Sequence, residues 1–225
     1  MQAVILAAGL GKRLRPITET VPKPLVPVNG KPVVQYTLDR LPPFVEEIIF
    51  VIGYKGQMIR NLFGDAYGGR TLRYVEQGEP LGTGHAVAAA APFVQGTFLL
   101  LYGDDVYGQD GLARLVRHEN ALLVRRVEHP ERFGVVELDA EGCVVRMVEK
   151  PLQPRSDLSW VGACVVQRDV LDIKTPKSPR GEYEFPDMVN VLIERGVRFR
   201  TELADLWLPG NTHDEVRTAE EVLYS

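Results

Sequence analysis

Short apolar runs alternate with helix-patterned segments through the first half of this chain, and that alternation constrains the fold more than any other feature. Residues 3–6 and 48–52 are continuously apolar, and 72–75 and 97–101 continue the series. Runs this short without polar alternation suit strands buried on both faces. Between them, residues 33–41 put Val34, Leu38 and Leu41 on one helical face. Residues 56–63 read as a short helix and 84–91 as an alanine-rich one. The pattern predicts an α/β fold with a doubly wound, mostly parallel sheet, helices on both faces and right-handed crossovers. Such sheets bind ligands beyond the carboxyl ends of their strands.

The second half reads differently. Residues 122–127, 134–138, 144–148 and 161–166 are strand-like and separated by turn signals such as 139–142. They predict a smaller, mixed-strand part forming a lid-like wall, followed by helices at about 185–194 and 212–223. No internal repeat, low-complexity tract or linker interrupts the pattern. Residues 1–225 are therefore read as a single domain of two halves, about 1–120 and about 121–225, without a hexapeptide-repeat or second catalytic unit. At 225 residues and 45% hydrophobic content, such a core needs no disulfide or structural metal. Cys143 and Cys164 lack metal-ligand spacing and read as buried reduced thiols. The net charge of −4 argues against nucleic-acid or anionic-membrane binding. No apolar run approaches the roughly 20 residues of a membrane span. The apolar start has no basic leader, so the expected location is cytoplasmic.

The first strand runs into Gly9-Leu10-Gly11, beside which Lys12, Arg13, Arg15 and Lys23 gather. Glycines let the backbone approach a ligand with successive N–H groups, here those of Gly9 to Lys12. Nearby cations suit phosphate oxygens. A dinucleotide fingerprint would need a third glycine where Leu14 stands. A Walker loop would need a hydroxyl where Arg13 stands. The loop is read as a nucleotide phosphate site of another kind, the alternative being an ordinary strand-to-helix turn with scattered surface cations. Lys23 lies between two prolines that restrict its backbone. Asp104 follows an apolar strand and Gly103, where a carboxylate suits Mg²⁺ beside phosphate. Asp105 suits a turn or cap role better.

Leu6-Ala7-Ala8-Gly9, Gly11 and Arg13-Leu14, then Pro22-Lys23-Pro24-Leu25, resemble the signature of sugar-phosphate nucleotidyltransferases. The resemblance continues in order through Gln77 with Leu81-Gly82-Thr83-Gly84-His85-Ala86, Tyr102-Gly103-Asp104-Asp105 and Phe133-Gly134-Val135-Val136. It ends with Val148-Glu149-Lys150-Pro151, Gly181-Glu182-Tyr183-Glu184 and Asn211-Thr212. It implies a Rossmann-like nucleotidyltransferase fold with a nucleotide half and a sugar half. The implied activity is Mg²⁺-dependent transfer of a nucleotidyl group, from UTP or dTTP by preference, to a sugar 1-phosphate. An NDP-sugar and pyrophosphate would result.

The same resemblance assigns roles. Arg13 would hold the β- and γ-phosphates and Lys23 the reacting centre. Leu6, Ala8, Gly9, Gly11, Gln77, Gly82 and Thr83 would bind the nucleotide, with Gln77 reading a pyrimidine edge. His85 reads as a packing or capping residue of the following helix. Gly134, Glu149, Lys150, Trp160, Gly162 and Glu182 would line the sugar-phosphate site. Neighbours on a strand point to opposite faces, so Glu149 and Lys150 reach one site together only if the strand ends or bulges at Pro151. Asp104 and Asn211 would hold the metal, Asn211 having the N-cap of the last helix as its other reading.

Two positions depart from the family pattern. Trp160 stands where relatives often place an asparagine, which tells against an N-acetylhexosamine. Pro209 stands where some relatives supply a metal-binding aspartate. The partners expected are a nucleoside triphosphate and a sugar 1-phosphate, with a homo-oligomer an open option. A second reading is a cytidylyltransferase for a phosphorylated alcohol or amino alcohol, with Trp160 in an aromatic wall for a cation. A third is a nucleotide-binding regulatory subunit without catalysis, against which the retained Arg13, Lys23 and Asp104 stand.

Overall fold

In the computed structural model, which describes residues 1–224, the N-terminal apolar run becomes a central strand, β1 (Gln2–Ala7). The chain continues through β2 (Pro27–Val28), β3 (Lys31–Pro32), α1 (Val33–Arg40), β4 (Glu47–Ile52), α2 (Gly56–Phe63), β5 (Ala66–Tyr67), β6 (Arg70–Glu76) and α3 (Thr83–Ala89). Next come β7 (Phe98–Tyr102), β8 (Asp105–Tyr107), α4 (Gln109–Leu115), β9 (Ala121–Arg126), β10 (Gly134–Leu138), β11 (Val144–Glu149) and β12 (Leu158–Val166). The last elements are α5 (Phe185–Glu194), β13 (Arg200–Leu203), β14 (Trp207–Pro209) and α6 (His213–Tyr224).

Among the described residues the main sheet has ten strands, in the order β11-β10-β12-β7-β1-β4-β6-β5, with β9 also on β12 and β13 on β9. Strands β7, β1, β4 and β6 are mutually parallel. Strands β1, β4 and β7 are buried as expected, because helices cover both faces, whereas β6 buries only Leu72. Along β1, Val4 faces a cluster with Val87, Met188 and Leu192. Ala3, Ile5 and Ala7 face the opposite cluster, with Leu38, Ile59 and Leu112. The period of two divides one strand between two cores. No described helix is long and apolar enough to cross a membrane, and both cysteines are buried and free.

The second half prolongs this sheet instead of standing over it as a separate wall. Strand β12 pairs antiparallel with β9 along one edge, and along the other with β10 near its start and β7 near its end. All nine of its residues are buried, and a strand so enclosed needs neighbours along its length. It starts earlier than the expected 161–166 because Gly162, at φ +77°, interrupts the pattern while the strand continues. The register shifts between Trp160 and Cys164.

The short strands β8 and β14 pair antiparallel, Leu208 opposite Val106 and Pro209 opposite Asp105. Neither was visible as a periodic run. Together they carry the segment just after β14 to the carboxyl end of β7.

Candidate active site

The loop after β1 turns at Gly11, whose φ is +62°. A Cβ there would lie 2.7 Å from Thr18 Cγ2, and the Thr18 hydroxyl donates to the Gly11 carbonyl at 2.7 Å. Glycine at this position lets the loop fold back on itself. A cavity of about 540 Å³ opens beside it. Its lining includes Leu6, Ala8, Gly9, Gly11, Gln77, Gly82 and Thr83, with Asp104 and Asn211 at its inner end. The residues expected for the nucleotide thus come together on one cavity.

The segment around Gly82 is held by the start of α5. Tyr183 N–H donates to Leu81 O and Gly84 N–H to Tyr183 O, each at 2.8 Å. Thr83 Oγ1 accepts the Phe185 N–H at 3.0 Å. A Cβ on Gly82 would meet Tyr183 O at 2.5 Å, and φ there is +114°, so only glycine fits. Gln77 donates its amide to Gly82 O at 3.1 Å and lies 3.3 Å from His85 Nδ1. His85 sits on α3 with its ring 6.4 Å from that of Tyr183, a packing position.

At the inner end the Lys23 ammonium pairs with the Asp104 carboxylate and donates to Asn211 Oδ1 at 2.8 Å. Arg13 donates to the same oxygen at 3.0 Å. Asn211 does not cap α6. Thr212 does, its Oγ1 accepting the Glu215 N–H at 3.3 Å, which leaves the Asn211 side chain aimed into the site. Asp105 is buried and accepts from Trp207 Nε1 at 2.9 Å and from Gly210 N at 3.4 Å. Burial, then the charge of Asp104, push its carboxyl up to about 8. Asp105 is a tether for the C-terminal segment, not a turn cap.

These oxygens bear on a metal. The Asp104 carboxylate and the Asn211 carbonyl converge on one point, now spanned by the Lys23 ammonium. No group of three or more His, Cys, Asp or Glu suited to a metal occurs among the described residues. Two hard oxygen donors beside a phosphate loop fit Mg²⁺, which keeps water and phosphate oxygens as its other ligands.

A second, narrower cavity of about 80 Å³ adjoins the first. Gly134, Glu149, Lys150, Trp160 and Gly162 line it, and Tyr102 and Asn211 border both cavities. Strand β11 ends at Glu149, and Lys150 takes φ +46°. This left-handed turn brings both neighbours to the cavity, with Lys150 Nζ 3.2 Å from Glu149 Oε1.

Trp160 is 4% exposed. Its N–H is taken by Ala163 O at 2.8 Å, and its ring packs between Tyr102 and Phe185 at centroid distances of 5.2 and 5.3 Å. It is a core residue that lends the cavity an edge, with no donor and no open face. Gly162 is forced, since a Cβ would lie 2.6 Å from the Tyr102 ring.

Two expected residues sit elsewhere than foreseen. Glu182 lines the larger cavity because the segment before α5 packs on Gly82, and Arg13 lines the smaller one because it reaches Asn211. Sequence reasoning passed over Arg132 and Glu215, which border the smaller cavity. It also passed over Arg180, 3.4 Å from Glu149 and 3.1 Å from Glu184. Burial, then the charge of Glu149, raise the Glu184 carboxyl above its usual range. Arg132 and Arg180 each adjoin a quoted motif, the one signal available for them.

Comparison with known proteins agrees with this geometry. The family profile for nucleotidyl transferase matches residues 2–215. The bifunctional protein GlmU of Methanococcus maripaludis is 37% identical over 211 residues, 92% of this chain and 50% of that protein. The chain therefore spans about half the length of that relative. The UTP–glucose-1-phosphate uridylyltransferase AglF of Haloferax volcanii is 34% identical over 207 residues, 87% of this chain and 85% of its own length. A crystal structure described as a glucose-1-phosphate thymidylyltransferase from Bacillus anthracis superposes with a TM-score of 0.85 at 26% identity. That likeness covers 99% of this chain and 94% of the other. With the glycine loop, the Lys23–Asp104–Asn211 centre and the two adjoining cavities in place, this chain belongs to the nucleotidyl transferase family.

Proposed function

We propose that this chain transfers a uridylyl or thymidylyl group from UTP or dTTP to a sugar 1-phosphate, releasing pyrophosphate and forming an NDP-sugar. The observation that carries the reading is the junction of the two cavities. The residues expected to hold a nucleotide line one, most of those expected to hold a sugar phosphate line the other, and Asn211 borders both.

The acceptor phosphate is already ionised, so no side-chain nucleophile is required. The main barrier is the mutual repulsion of two anions. Positioned cations lower it by electrostatic stabilisation and alignment. Arg13 and Lys23 meet at Asn211 between the cavities, and Lys150 stands in the smaller one. The Gly9 to Lys12 backbone serves the triphosphate, and Glu149 accepts hydrogen bonds from sugar hydroxyls. Mg²⁺ on Asp104 and Asn211 would neutralise charge on the triphosphate.

The relatives support the pyrimidine preference, one bearing the name of a UTP–glucose-1-phosphate enzyme and another that of a glucose-1-phosphate thymidylyltransferase. An amino-alcohol acceptor is disfavoured. The smaller cavity presents Arg13, Arg132 and Lys150, and Tyr102 and Phe185 pack against Trp160 where a cation would need an aromatic face.

The test is a matrix of UTP, dTTP, CTP and GTP against several sugar 1-phosphates and phosphocholine, read by pyrophosphate release with and without Mg²⁺. Turnover with a pyrimidine triphosphate and a hexose 1-phosphate is expected. Turnover with phosphocholine alone, or with no pair, would overturn the reading.

A further inference from the structure

Glu215 joins two parts of the site, and none of the roles above uses its carboxylate. Its Oε2 accepts the Asn211 backbone N–H at 2.8 Å, and its Oε1 pairs with Arg132 Nη2 at 3.1 Å. The Glu215 side chain is only 16% exposed, and both partners border the smaller cavity. Arg132 closes the turn Pro130–Arg132 that leads through Phe133 into β10 and Gly134. The helix start is already capped by Thr212. An ion pair to an arginine 83 positions away adds nothing to that cap. It does fix where the carboxylate stands, and hence where the Asn211 backbone is held.

We propose that Glu215 is a positioning residue. It holds the Asn211 backbone so that Oδ1 stays aimed at Lys23 and Arg13. Arg132 in turn holds Glu215, so the rim of the smaller cavity sets the alignment of Asn211. This rests on the reading of Asn211 as part of the phosphate and metal site. Groups that orient a ligand in this way typically cost about 10–100-fold in metal affinity when removed.

The experiment measures binding of Mn²⁺ in the presence of UTP, from the electron-spin signal of free Mn²⁺. Hydrogen exchange at the Asn211 amide and melting curves are read in parallel. The proteins are the wild type, Glu215→Ala, Glu215→Gln, Arg132→Ala, Asn211→Ala and Thr212→Ala. Asn211→Ala and Glu215→Ala are expected to weaken Mn²⁺ binding by roughly tenfold or more, and Glu215→Ala to speed exchange at the Asn211 amide. Glu215→Gln keeps an acceptor for that amide and is expected to recover most of the binding. Arg132→Ala is expected to fall between wild type and Glu215→Ala. Thr212→Ala should lower the melting temperature and leave Mn²⁺ binding unchanged.

If Asn211→Ala weakens binding and Glu215→Ala does not, the proposal fails and the reading of Asn211 stands. If Thr212→Ala loses as much binding as Glu215→Ala, stability of the helix start accounts for the effect and the proposal fails. If Asn211→Ala binds Mn²⁺ like wild type, the reading of Asn211 falls and the proposal with it.

Discussion

Replacing Trp160 with alanine separates a core tryptophan from a sugar-binding one. The indole is 4% exposed and packs against Tyr102 and Phe185. Emptying such a site typically costs about 3–5 kcal/mol. The variant also strips the Ala163 carbonyl of its donor, which adds about 1–3 kcal/mol for an unpaired buried group. For a chain of this length each kcal/mol lowers the melting temperature by roughly 2–4 °C, so a fall of roughly 8–32 °C is expected. Trp160→Phe keeps most of the ring packing and loses the N–H, so it should fall by the smaller part alone. The assay is a melting curve for each variant, with KM for two hexose 1-phosphates differing at one ring position. A core residue leaves the ratio of the two KM values unchanged in whatever fraction stays folded. A melting shift below about 3 °C joined to a changed KM ratio would refute the packing argument and return Trp160 to the sugar site.

Lys23→Ala should lower turnover about 10²–10³-fold, the usual loss when one positioned charge contact is removed, with a melting curve near wild type; steady-state kcat decides it. Gln77→Ala should weaken UTP binding by about 1–3 kcal/mol and narrow the gap between UTP and GTP, as read by titration calorimetry. Gly82→Ala should disrupt the larger cavity, since the new Cβ meets Tyr183 O at 2.5 Å; triphosphate affinity measured beside the melting curve tests this. Burial and the charge of Asp104 raise the folded Asp105 carboxyl to about 8 from its ordinary 3.8, so between those values the folded protein binds more protons than the unfolded one. Stability from this group therefore falls as pH rises from about 4 to about 8 and levels off above. Asp105→Asn should flatten that slope in urea midpoints measured across the range.

The parallel half of the sheet was legible because β1, β4 and β7 are nearly continuous apolar runs set between helical segments. The glycine loops were legible in the sequence, and at Gly11 and Gly82 a positive φ and close neighbours account for the glycine. The limits fall where contacts are distant in sequence. Strands β8 and β14 have three residues each, too few to show a period, and each is specified by its partner. Glu149 and Lys150 posed a face problem that only the left-handed turn at Lys150 resolves. Trp160 reads from the sequence as lining the sugar site, and its place in the core shows only when Tyr102 and Phe185 are seen against it.

The Lys23–Asp104–Asn211 cluster joins segments far apart in the sequence. Lys23 and Asn211 are 188 positions apart, and their meeting depends on a chain of contacts that begins at a buried acid. Asp105 holds Trp207 and Gly210, which docks β14 on β8. That docking delivers Asn211 to the carboxyl end of β7, where Asp104 already stands. Of the two adjacent aspartates, Asp104 lines the larger cavity and Asp105 holds the segment that carries Asn211. Sequence could separate them only by position after the glycine; burial separates them physically. A carboxylate with two buried donors and no solvent is suited to tethering. One that shares a lysine with an asparagine at the inner end of a cavity would, on the function proposed above, be placed to exchange that lysine for a metal and a phosphate.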